Sequence, residues 1–164
     1  MADKSNFTAE EWITLLKAPA MAGLAVVAAD PSGPFGAIKE AFATGKALAE
    51  VKMEGGANAL IDSIVSEVAT PEGREAAKPT ELTSLGGIEQ AQAHAIGVCA
   101  AAAKIVEAKS PDEAAAFKQW LYSISQRVAE ASKEGGFMGF GGVLVSEQEQ
   151  AALTAMSGAL GINA

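Results

Sequence analysis

Three times along the chain a hydroxyl-bearing residue stands three positions before a glutamate, at the head of a segment with apolar residues at helical spacing. The pairs are Thr8 with Glu11, Ser110 with Glu113 and Ser146 with Glu149. Such a pair marks a helix start: the hydroxyl accepts a free amide of the first turn, and the glutamate reaches back to the cap residue. Pro111 reinforces the second start, because its fixed φ suits the first helical position. Phe7 and Trp12 flank the first at staple positions. Alanine is abundant, aromatic residues make up only 5% of the chain, and β-branched runs are scarce. Alanine loses no side-chain entropy on entering a helix, and small side chains let helices pack closely. The expected fold is all-α: one domain over 1–164, a bundle of about six or seven helices with a long antiparallel pair.

Taken in order, Trp12, Leu15 and Leu16 form the apolar face of the first helix. Pro19 lacks an amide hydrogen and crowds the preceding turn, so a break or kink is expected near Lys17. The run from Pro19 to Asp30 is apolar nearly all round, which places it at the centre of the bundle. Asp30-Pro31-Ser32-Gly33-Pro34 is a turn, followed by a helix to about Glu54 that buries Ile38, Phe42, Leu48 and Val51 and stops at Gly55-Gly56. Asn58 opens a short helix carrying Leu60, Ile61, Ile64, Val65 and Val68. Residues 71–84 have few large apolar side chains and read as a mobile loop with at most one helical turn. A helix from Leu85 to Lys109 would span about 37 Å, with Ile88, Ala95, Cys99, Ala102 and Val106 as its seam. The tight joint at Ser110 turns it back along a helix to about Glu134, whose face is Phe117, Trp120, Leu121, Ile124 and Val128. The last helix buries Leu153, Met156 and Leu160.

Charge excludes one class of partner. Twelve basic and twenty acidic residues give a net charge of −8. Arg74 and Arg127 are the only arginines and the lysines are scattered, so no basic patch exists for nucleic acid. Cys99, the single cysteine, lies in an apolar run and is expected as a small buried hydrophobe in a reducing compartment. Met1 to Asn6 shows no secretory pattern. The run from Ala18 to Ala29 falls short of the roughly 20 apolar residues a membrane-spanning helix needs. A soluble cytoplasmic protein is the expectation.

The stretch Glu134-Gly135-Gly136-Phe137-Met138-Gly139-Phe140-Gly141-Gly142 sets five glycines among three large apolar side chains. Gly136 and Gly141 have the glycine spacing of a phosphate loop, but Gly142 and Val143 stand where lysine and a hydroxyl residue are needed. The dinucleotide fingerprint fails at Leu144. The stretch then reads as a plug over the bundle end, or as a subunit contact or apolar pocket wall built from Gly136, Phe137, Met138, Gly139 and Phe140. His94, the only histidine, has no carboxylate three or four residues away, so a helical metal pair is not formed. No catalytic constellation and no cofactor signature emerges. The expectation is a non-enzymatic protein acting as a homo-oligomer or through a partner; the alternative is a small-molecule ligand in an apolar pocket near 135–142.

Ala28-Ala29-Asp30-Pro31-Ser32-Gly33 with Glu40, and Gly142-Val143-Leu144-Val145-Ser146 with Glu149, resemble the two helix-turn-helix halves of TerB-like tellurite-resistance domains. The resemblance covers about a third of the chain. The second half has Gly141-Gly142 where that family has an acidic residue and glycine, and the first carries two prolines. The resemblance implies an all-helical bundle associated with stress response, with an acidic metal site at Asp30 and Glu40. The residues by themselves point to no metal site.

Overall fold

The structure is a computed structural model that describes residues 2–29, 58–134 and 145–162, and only the backbone of residues 82, 83 and 131–134. The expected helix over 34–54, the residues Asp30 and Glu40, and the glycine stretch from Gly135 to Gly142 lie outside the described residues.

Within them the chain is all-helical. The helices are α1 (Ala9–Val27), α2 (Ala59–Val68), α3 (Pro71–Ala76), α4 (Ile88–Lys109), α5 (Pro111–Glu134) and α6 (Glu147–Leu160), with 3-10 turns at Lys4–Asn6 and Thr80–Ser84. α1 packs against α4, α5 and α6, and α4 and α5 pack on each other across the Ser110 joint, so the core is one bundle.

Two of the three caps form as expected. Thr8 Oγ1 accepts the Glu11 amide at 3.2 Å, and the Thr8 amide donates to Glu11 Oε2 at 2.8 Å. Ser146 and Glu149 repeat the pair at 3.1 and 2.9 Å. The Phe7 and Trp12 rings close the first cap with centroids 5.8 Å apart. Ser110 differs: its carbonyl, not its hydroxyl, accepts the Glu113 amide at 3.0 Å. The hydroxyl donates instead to Glu113 Oε2 at 3.1 Å, an oxygen that also accepts the Ala2 amide at 3.0 Å. The glutamate expected to complete a cap therefore ties the start of the chain to α5.

α1 shows no break at Pro19, and its apolar run lies where it was expected. It runs unbroken through Pro19, which is buried inside it. An interior proline costs about 3 kcal/mol. Leu15, Leu16, Ala18, Met21, Ala22, Ala25 and Val26, on both sides of Pro19, are at most 2% exposed. Each large apolar side chain so buried contributes about 1.5–3 kcal/mol, which outweighs the lost backbone bond and keeps both halves in one helix. The apolar run is central, as its lack of a polar face requires. Its small residues let neighbours reach its backbone. Cys99 Sγ of α4 donates to the Ala18 carbonyl (3.4 Å), Ser125 Oγ of α5 to the Ala22 carbonyl (2.9 Å), and Gln92 Nε2 of α4 to the Ala25 carbonyl (3.0 Å).

Ala95, Cys99, Ala102 and Val106 form the buried seam of α4, but Ile88 is 51% exposed. Leu85 to Gly87 are a bend, and the helix begins at Ile88 after an extended Gly87 that supplies no side-chain cap. Ile88 thus sits on a terminal turn, beyond the packed part of the seam. The expected faces of α5 and α6 are buried throughout. Gly161, at φ 65°, takes the left-handed conformation that ends α6.

Residues 71–84 are largely helical. Thr70 Oγ1 caps α3 by accepting the Gly73 amide at 3.0 Å, and Pro71 takes the first helical position. The scarcity of large apolar residues reflects short, half-exposed elements rather than an irregular chain.

Burial pushes the Cys99 thiol up from 9.0 to about 12. An aromatic disulfide reagent at pH 8 should leave the native protein unmodified and react with one thiol after denaturation. Because the folded value is the higher one, this group's contribution to stability is complete below pH 9 and declines as pH rises from 9 toward 12.

Candidate functional site

α1, α4 and the Thr80–Ser84 turn enclose an open groove of about 340 Å³. α1 supplies Ile13, Thr14 and Lys17, which share one side of the helix because residues three and four apart are neighbours. α4 supplies His94, Gly97, Val98 and Ala101, again one helical stripe. Glu81 comes from the 3-10 turn and forms an ion pair with Lys17 across the groove.

Lys17 is well covered, its side chain 16% exposed against 41% for Glu81. Its hydrogen bond holds the Glu81 carboxyl below the usual carboxylate range, helped by Glu81's own backbone amide and opposed by partial burial. Glu81 is therefore ionised at neutral pH. The support it gives through Lys17 is lost as pH falls through its lowered value. Glu81 Oε2 and His94 Nε2 are buried with no hydrogen-bond partner among the described residues.

Chemically, the groove holds an ammonium, a carboxylate and an imidazole between apolar walls. Among its described lining residues the one hydroxyl is that of Thr14, which donates to the Glu10 carbonyl of its own helix at 3.0 Å. The carboxylate oxygen and imidazole nitrogen that remain unpaired are covered rather than presented to a substrate. Among the described residues no three histidine, cysteine, aspartate or glutamate side chains converge. No helix among them is long and apolar enough to cross a membrane.

Next to the groove, α4 presents Ala93, Gly97 and Ala101 to solvent, flanked by exposed Glu89, Gln90, Lys104 and Ala108. Ile13 and Ile88, 40% and 51% exposed, are the large apolar side chains most open to water among the described residues. A Cβ on Gly97 would meet no described residue within 4 Å. Gly97→Ala should accordingly raise stability by about 0.5–1 kcal/mol through helix propensity alone, measured by thermal unfolding of dilute protein.

The site residues expected from the sequence, Gly136, Phe137, Met138, Gly139 and Phe140, lie outside the described residues, as do Asp30 and Glu40. His94 is partly buried. Its neighbour Glu81 was not foreseen: it lies thirteen residues away in a segment that reads as a loop, and no local spacing signals the pair. The α4 face was not foreseen either; the mid-helix Gly97 is the sequence signal that could have marked it. No family model matches the chain, and no curated protein or solved structure proved similar to it.

Proposed function

We propose that the protein is non-enzymatic and acts by self-association, with the outer face of α4 and the adjoining groove as its contact surface. The observation that carries this reading is Gly97. A glycine in mid-helix costs about 1 kcal/mol relative to alanine, and no described residue needs the space it leaves. A flat face of Ala93, Gly97 and Ala101 lets another backbone approach closely, and exposed Ile13 beside it adds apolar area. The test is a dilution series followed by amide chemical shifts. Concentration-dependent shifts confined to the exposed residues of α1 and α4 are expected, and spectra unchanged by dilution would remove the reading.

The unpaired Glu81 Oε2 and His94 Nε2 favour a second reading. In it the groove holds a small apolar molecule whose polar end meets these two atoms after a side-chain shift; a volume of about 340 Å³ falls within the range of small-molecule sites. A bound mass retained by the wild-type protein in native mass spectrometry, and lost from Val98→Glu, would support it. A clean apo mass would count against it.

A further inference from the structure

We infer that the α4 face is occupied by α4 of a second copy of this chain, the two helices crossing antiparallel at Gly97 with each Glu89 paired to Lys104 of the other copy. This rests on the self-association reading above and specifies its partner and register. At 3.6 residues per turn, Ala93 and Ala101 lie about 40° to either side of Gly97, and Lys104 lies within about 20° of it. The middle of the exposed face is thus small, and a charge flanks it at either end.

The charges decide the register. Glu89 lies about 12 Å before Gly97 along the helix, and Lys104 lies about 10.5 Å after it, at 1.5 Å per residue. Both are exposed, and neither makes an ion pair or hydrogen bond with a described residue of its own chain. An antiparallel crossing about a twofold axis at Gly97 brings Glu89 of one copy level with Lys104 of the other, on the same flank, twice. A parallel crossing would set Glu89 beside Glu89 and Lys104 beside Lys104, which is repulsive. A twofold, self-complementary contact of this kind closes on itself as a dimer.

The other charges near this face are already engaged. Lys17 pairs with Glu81, Glu107 with Lys118, and Lys109 with Glu11. Among the described residues Glu89 and Lys104 are therefore the available complementary pair on the face. A single helix crossing buries less than the roughly 800 Å² per partner of a standard interface, so a dissociation constant in the micromolar range is expected.

The experiment is sedimentation velocity of the full chain and four variants across the micromolar range at physiological salt, with circular dichroism to check folding. Gly97→Gln should keep or raise monomer stability, since a Cβ there meets no described residue, yet weaken the dimer by more than about tenfold by separating the helices. Glu89→Lys and Lys104→Glu should each weaken it about tenfold, because each reversal turns two attractive contacts into repulsive ones. The double exchange, Glu89→Lys with Lys104→Glu, should return the dissociation constant to within about threefold of wild type. A wild-type dimer indifferent to Gly97→Gln, or not restored by the double exchange, would overturn this contact and leave self-association through another surface. A wild-type chain monomeric throughout would overturn the association reading and this one with it.

Discussion

Gly73→Ala is expected to lower stability by about 3–4 kcal/mol, a drop of roughly 6–16 °C in the unfolding midpoint of a domain this size. Position 73 lies in the first turn of α3, where alanine would ordinarily favour a helix by about 1 kcal/mol. A Cβ at this position would stand 1.9 Å from the Glu67 carbonyl oxygen and 2.5 Å from its carbon. That carbonyl cannot turn aside freely. It accepts the Thr70 amide at 2.9 Å and the Thr70 hydroxyl at 2.7 Å, and the hydroxyl itself accepts the Gly73 amide. The α2–α3 corner must open, or its hydrogen bonds must break. Equilibrium denaturation decides the matter by sign: a variant as stable as wild type would mean that the two helices do not approach this closely.

Trp12→Ala carries the second large effect, a loss of about 3–5 kcal/mol in the same measurement. Trp12 is 2% exposed and packs against Phe7. Its Nε1 donates to Glu67 Oε2 at 2.9 Å, while Glu67 Oε1 accepts Lys4 Nζ at 2.7 Å. One carboxylate thus joins α2 to α1 and to the turn before it. Trp12→Phe retains most of the apolar volume and should cost clearly less. Because Trp12 and Gly73 both act on Glu67, their double variant should lose less than the sum of the two single losses.

Much of this architecture was legible in the residues, for reasons that differ from place to place. The caps at Thr8 and Ser146 depend on four consecutive residues, so local spacing was enough to read them. The buried faces of α5 and α6 follow from helical periodicity and hold wherever the helix is long. Pro19 misled because the intrinsic cost of an interior proline is local, whereas the burial that offsets it comes from α4, α5 and α6. Ser110 misled for a related reason: Glu113 is drawn to the Ala2 amide, 111 residues away in sequence. Residues 71–84 looked irregular because short helices held by Thr70 and Lys17 need few large apolar side chains. Of the surface assigned to association, Gly97 and its alanines did not stand out among the many small residues of α4, because which of them face solvent depends on packing. Nor did the groove, since Lys17, Glu81 and His94 meet only when three separate elements are packed together.

The central claim is that this chain associates with itself. Sedimentation equilibrium of the wild-type protein over a dilution series through the micromolar range tests it most directly. The average mass should climb with concentration from the 16.6 kDa of one chain toward twice that value and then level off. A mass that stays at 16.6 kDa at every concentration would contradict the claim.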